Sequence, residues 1–310
     1  MVPVSEEARA AAARPAATAV RAAAAAFAAC LLLAGCAPGD TAADRGEAAP
    51  ADQEASRLRL LDLWAAGDPA FGVFVPDERE GGDRAPDGSR LPALYTTEGG
   101  RRLAANPLYD YVFLNLEPAY DAPSVRALAT GLREGGAEAR PALLVRIPPI
   151  SEDGDAAGAR VAEALANGAD GVVLPHVRSP EEARMAVGLF EEAGADVWSP
   201  GNPDGGVIAM LMIEDPGAVA TAREIADVPG YSVLACGIGS LTQAMGRDRE
   251  AAEAANLDVL AHATRVGRPD MITANAEDVA RRIEEGFLGL LMSGSGADEA
   301  IRVGRAAAGR

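Results

Sequence analysis

From about residue 58 the chain alternates between two kinds of segment. Short apolar runs of Val, Ile, Leu and aromatic residues are separated by longer Ala/Glu/Arg-rich stretches with helical spacing. That alternation is the signature of strand–helix–strand units building a parallel sheet. The runs predict eight strands, at 71–75, 110–116, 142–147, 171–175, 207–213, 232–237, 270–273 and 287–292. A further apolar run at 196–199 precedes the fifth strand and reads as part of an insertion. Helices are expected at 56–66, 122–134, 156–167, 180–193, 216–226, 241–247, 248–255, 276–285 and 296–308. Residues 77–100, dominated by Asp, Glu, Gly, Arg and Pro, read as a long loop. Eight such units within about 250 residues favour an α/β fold of the closed TIM (β/α)8 barrel type over an open sheet.

Chemistry in such a barrel sits at the carboxyl ends of the strands. Those ends carry Glu117, Arg146, His176, Glu214, Ser240 and Asn275, in strand order from the second to the seventh. A charged group placed directly after a Val/Leu/Ile run must pair, bind a ligand or reach solvent, because unpaired burial is costly. Two readings of Glu117, Arg146 and Glu214 stay open: an active site, or a structural ion network at the barrel mouth. His176 is either a proton-transfer group or a hydrogen-bonded rim histidine, and His262 is expected at the surface.

The segment ahead of the barrel has a different character. Arg9, Arg14 and Arg21 precede an apolar run over 22–34 that ends in Leu33-Ala34-Gly35-Cys36. A basic region followed by an apolar stretch too short to span a bilayer matches a secretory signal. Leu-Ala-Gly-Cys resembles the bacterial lipobox, which implies a signal peptide over 1–35 and lipidation at Cys36. Residues 36–57, rich in Ala, Asp, Glu, Pro and Gly, then read as a flexible tether to a membrane of the cell envelope, with the barrel over 58–310. Contact with the membrane would run through the lipid alone, and Ala37 after the cysteine points to the outer membrane.

Composition narrows the chemistry. Hydrophobic residues make up 49% and charged residues 24%, the balance of a globular protein with a substantial core. A net charge of −18 repels a phosphate backbone, which argues against nucleic acid as a partner. All 28 basic residues are arginine, so no lysine exists for a Schiff base, a pyridoxal phosphate or a phosphate-binding loop. Cys30 leaves with the signal and Cys36 is acylated, so Cys236 stands alone and forms no internal disulfide. Its setting, Val233-Leu234-Ala235-Cys236, reads as a buried small hydrophobe.

Residues 160–187 and the segment Ile208-Ala209-Met210-Leu211-Met212-Ile213-Glu214-Asp215-Pro216 resemble the aldolase/citrate lyase family of class II pyruvate aldolases. So does Glu224-Ile225-Ala226-Asp227-Val228-Pro229-Gly230. The resemblance extends over about 58–300 and is strongest over 140–246. It implies a modified TIM barrel, usually a homo-oligomer, in which a divalent metal (Mg²⁺ or Mn²⁺) and an arginine hold the enolate of a small oxo-acid. It places the metal on Glu214, the enolate-stabilising arginine on Arg146, and a supporting acid on Glu117. A metal and a guanidinium suit this chemistry because bond cleavage beside a carbonyl puts negative charge on its oxygen. A substrate carboxylate would dock on the backbone N–H groups of Gly239, Ser240 and Leu241, where a helix is expected to begin.

The departures from the family pattern are specific. Its second metal carboxylate falls on Ser240, where Ser240-Leu241-Thr242-Gln243 reads instead as a capping box. Its Asp-x-Glu-His becomes Asn115-Leu116-Glu117-Pro118, which loses an acid and the proposed acid/base histidine. Asn167 stands where an acidic partner is common, and Asp215 points away from Glu214 on an extended segment. His176 is the remaining proton-transfer candidate. Two functions follow: a carbon–carbon lyase acting on a small 2-oxo acid, or a catalytically degenerate, lipid-anchored binding or scaffold protein of the same fold.

Overall fold

The structure, a computed structural model, describes residues 51–79, 87, 91–136 and 140–310. The expected signal peptide and Cys36 lie outside the described residues. The strands are β1 (Ala70–Phe74), β2 (Tyr111–Asn115), β3 (Ala142–Arg146), β4 (Gly171–Leu174), β5 (Ile208–Ile213), β6 (Val233–Cys236), β7 (Asp270–Thr273) and β8 (Gly289–Met292). Each pairs in parallel with its neighbours in the chain, and β8 returns to β1, closing the barrel. All eight coincide with the apolar runs, with only their ends shifted.

Alternation along each strand divides the core into two layers. Tyr111, Phe113, Ala142, Leu144, Val173, Met210, Met212, Val233, Ala235, Met271 and Leu291 fill the barrel interior. Their neighbours, such as Phe71, Val112, Leu143 and Leu234, face the surrounding helices. The helices are α1 (Ala51–Ala66), α2 (Thr97–Ala104), α3 (Ala122–Glu134), α4 (Gly154–Ala166), α5 (Pro180–Glu192), α6 (Pro216–Ala220), α7 (Ala222–Ala226), α8 (Ile238–Ala244), α9 (Arg249–Arg265), α10 (Val279–Glu285) and α11 (Ala297–Ala307).

The amino end of the barrel, its base, is sealed by α1. Leu60, Leu61 and Trp64 join the interior cluster, and Trp64 Nε1 donates to the Leu288 carbonyl at 3.0 Å. The Trp64 ring centroid lies 6.4 Å from that of Tyr111 and 6.3 Å from that of Trp198. Trp198 belongs to the expected insertion, which carries the isolated bridges Val197↔Val207 and Ser199↔Asn202. Side-chain struts tie the strands in pairs at the same level. The Phe71 N–H donates to Asp110 at 2.9 Å, the Leu143 N–H to Asp170 at 2.8 Å, and the Ala209 N–H to Ser232 Oγ at 3.0 Å.

Several elements depart from the sequence pattern. Helix α2 begins within the segment read as loop and runs beyond it, capped by Thr96 Oγ1, which accepts the Gly99 N–H at 3.0 Å. Its two glycines disfavour a helix by about 1 kcal/mol each, yet they allow contact with α3. A Cβ on Gly100 would stand 2.6 Å from the Leu128 carbonyl oxygen, and one on Gly131 2.0 Å from that of Thr97. Helix α9 runs on past the polar Asn256 and Asp258 because Val259, Leu260 and Ala263 keep facing the core. The expected 216–226 helix is broken at Thr221 into α6 and α7. Helix α1 begins at Ala51, inside the stretch read as tether.

Candidate active site

The phase that fills the barrel also delivers the mouth. On β2 the inward residues Tyr111 and Phe113 are followed by Asn115, and on β3 Ala142 and Leu144 are followed by Arg146. After β5, Met210 and Met212 lead to Glu214; after β6, Val233 and Ala235 lead to Gly237. Asn115 and Arg146 are register partners in the sheet. Successive inward positions on adjacent strands therefore converge above the core.

Arg146 is the hub of this group. Its Nε donates to Asn115 Oδ1 at 2.9 Å, and one terminal nitrogen forms a close ion pair with Glu117. The other, Nη1, lies 3.8 Å from the Met212 sulfur and 3.9 Å from Glu214 Oε1. Neither is a strong hydrogen bond, so Nη1 keeps donor capacity for an incoming oxygen. Asn115 Oδ1 also accepts the Glu117 N–H at 3.2 Å, which fixes the turn that brings Glu117 back to the guanidinium.

Glu214 is buried, with 1% of its side chain exposed. Gly237 makes its room: a Cβ there would stand 2.2 Å from Glu214 Oε1. His176 folds over the pair from the end of β4 in the left-handed region, with φ 54°, a conformation that costs a non-glycine residue roughly 1–2 kcal/mol. Its backbone N–H donates to Glu214 Oε2 at 3.2 Å. Its ring lies between the two carboxylates, with Nε2 3.1 Å from Glu117 Oε1 and Nδ1 3.5 Å from Glu214 Oε2. A neutral imidazole carries one N–H, so only a ring protonated at both nitrogens donates to both acids.

Two recesses flank the group. An open cleft of about 600 Å³ is lined by His176, Arg178, Glu214, Asp215, Ser240, Gln243 and Ala244. Beyond Asn115, a recess of about 510 Å³ runs under residues 91–95 and is walled largely by apolar side chains, among them Phe74, Leu91, Pro92, Tyr95 and Pro118. Gly239 and Ser240 are exposed in the first turn of α8, while the Leu241 N–H is committed to the Gly237 carbonyl at 2.9 Å. The expected capping box is absent. Gly237 precedes the helix, no side chain caps it, and Ser240 lies inside the first turn.

Other candidate residues stand apart. Asp215 caps α6 by accepting the Ala218 N–H at 2.9 Å. Asn275 is spent on its own turn, accepting from Glu277 N–H at 2.7 Å. Asn167 ends α4 near the base, where its Oδ1 accepts from Arg126 at 2.7 Å. His262 sits on α9, 3.8 Å from Asp258. Cys236 is buried, and burial pushes its thiol well above the usual range. Sequence reasoning missed Asn115 as the acceptor for Arg146, Met212 beside Nη1, and Gly237. The first two were readable from the alternating phase of β2 and β5.

A family model described as HpcH/HpaI aldolase/citrate lyase matches residues 103–290, more than half of the chain. The chain belongs to the HpcH/HpaI aldolase/citrate lyase family. Solved structures agree on the fold. An HpcH/HpaI family protein from Burkholderia cenocepacia is 22% identical with a TM-score of 0.58, covering 81% of this chain and 96% of its own. The citrate synthase SbnG is 18% identical with a TM-score of 0.58, covering 81% and 97%. The M. tuberculosis citrate lyase beta subunit, solved with oxaloacetate and magnesium, is 20% identical with a TM-score of 0.51, covering 77% and 96%. No curated protein matches the chain.

The side chains of this HpcH/HpaI family member do not fit a resident divalent ion. Among the described residues no group of three or more His, Cys, Asp and Glu side chains is arranged to hold one. Glu117 and Glu214 already close on His176 and Arg146. Ser240 offers only a hydroxyl, and the Asp215 carboxylate caps a helix.

Proposed function

We propose that the chain is a carbon–carbon lyase of the aldolase type that acts on a small 2-oxo acid through an enolate. The observation that carries this reading is the Arg146 guanidinium. Two close contacts, with Asn115 and Glu117, hold it in place, while Nη1 keeps donor capacity at the end of the barrel where TIM-barrel chemistry occurs. Cleavage of a 4-hydroxy-2-oxo acid removes the proton of the C4 hydroxyl and breaks the C3–C4 bond. The bonding pair becomes the enolate, with its charge on the C2 oxygen, and the C4 fragment leaves as an aldehyde. Nη1 of Arg146 would hold that oxygen, a fixed donor facing the charge as it develops.

The hydroxyl proton needs an acceptor, and Pro118 supplies none. The Glu117 carboxylate, held 3.1 Å from His176 Nε2, can take it, then return it to C3 of the enolate. The exposed Gly239 and Ser240 N–H groups would take the substrate carboxylate. The scaffold alternative is not favoured, because arginine, both carboxylates and imidazole stay in mutual contact. Lipidation at Cys36 would place this activity on the cell envelope.

The test is exchange of the methyl protons of pyruvate or 2-oxobutyrate with deuterium, followed by NMR on the purified chain. Exchange is expected without added metal. Absence of exchange with both acids, alone or with Mg²⁺, Mn²⁺ or Co²⁺, would overturn the reading.

A further inference from the structure

Two carboxylates that converge at one point need positive charge or hydrogen-bond donors between them. At this mouth that position is filled by a side chain of the protein itself. We propose that the His176 ring occupies the cation position between Glu117 and Glu214, so that the site works without a resident divalent metal. The inference rests on reading the mouth as an enolate site, and it changes what that site needs.

Three observations carry it. Both ring nitrogens face carboxylate oxygens, at 3.1 Å and 3.5 Å. The ring is not a loose rim group, since its backbone is held left-handed by the N–H that donates to the buried Glu214. The other acidic side chain lining the cleft, Asp215, is committed to the α6 cap, and Ser240 brings no charge. Mg²⁺ demands near-octahedral oxygen ligation at close range. To enter, it would have to expel the imidazole and compete with Arg146 for the same two acids. The imidazole thus takes over the structural duty of an ion, and Arg146 alone faces the substrate oxygen.

The experiment is a Mn²⁺ titration of the metal-free full chain, read by the electron paramagnetic resonance of free Mn²⁺ and by calorimetry. The wild type is expected to show no saturable uptake. His176→Gly, which relaxes the left-handed backbone and empties the position, is expected to take up one ion, tightening binding by about tenfold or more, the scale of effects seen around metal ligands. His176→Asn tolerates the same backbone and serves if the glycine variant does not fold. Stoichiometric uptake by the wild type with no gain in either variant overturns the proposal. So does the absence of uptake in folded variants, because the two acids would then form no cation position. Deuterium exchange into pyruvate in the presence of EDTA is followed separately. Its loss in every form would remove the lyase reading, while the Mn²⁺ result would still decide the role of His176.

Discussion

At the base of the barrel, Asp110 is surrounded by Arg59 at 3.2 Å, Arg305 at 2.9 Å and Arg310 at 3.2 Å, and it also takes the Phe71 N–H. Asp170 is likewise held by Arg140 through two contacts, at 2.6 and 2.8 Å, and by the Leu143 N–H. At the mouth the proportions are reversed, with one arginine shared between two carboxylates and one of its nitrogens weakly engaged. The base satisfies Asp110 and Asp170 fully and so fastens strands, α1, α11 and the chain's last residue together. The mouth leaves capacity over. In a TIM barrel that division separates the end that holds the fold from the end that binds and reacts.

Breaking the base should have the largest effect on the fold. Asp110→Ala strands buried donors and three guanidinium groups, and is expected to lower stability by about 3–5 kcal/mol in chemical denaturation, with exchange activity kept in whatever remains folded. Arg146→Ala should do the converse. Loss of one fixed donor to an oxyanion typically raises the barrier by about 3–4 kcal/mol, so exchange should fall by two to three orders of magnitude while the melting temperature barely moves. If the melting temperature collapses instead, Arg146 belongs with the structural arginines. Gly237→Ala lies between these cases. Its methyl group would displace Glu214, with an expected loss of about 1–3 kcal/mol in stability and a marked fall in exchange.

Per pH unit, the smallest expected effect concerns Asp270, which sits in the outer layer with both carboxyl oxygens buried and lacking a hydrogen-bond partner. Burial raises its carboxyl well above the usual aspartate range, and the Met271 amide opposes this. The native state therefore holds this proton more tightly than the unfolded chain. Its contribution to stability is complete below the unfolded value, near 3.9, and is lost as pH rises through the raised native value. Asp270→Asn should remove that slope. Measured by denaturation from about pH 4 upward, the variant should gain on the wild type by on the order of 1 kcal/mol per pH unit.

The barrel was legible because most of the strands are apolar runs buried on both faces, broken by polar residues only at their ends. Helix α2 was not, because Gly99 and Gly100 weaken every local signal and the compensation comes from α3. The mouth was legible by residue type, since Glu117, Arg146, His176 and Glu214 all directly end or follow an apolar run. Their mutual contacts were less so. Asn115 reads as a lost acid until its carbonyl is seen receiving Arg146 Nε, and Gly237 matters for a volume it does not fill. The approach of His176 to both acids depends on a left-handed backbone that a histidine codon does not announce.

The struts at the base carry one further consequence. Strand pairs β1–β2, β3–β4 and β5–β6 each have a side-chain acceptor on the residue just before the even strand, at Asp110, Asp170 and Ser232. In the last pair the matching residue is Leu288, which has no polar side chain, and the facing residue is the unpartnered Asp270. The staves are thus hooped at three joints and only butted at the fourth. Amide hydrogen exchange should find its earliest leak along β7 and β8.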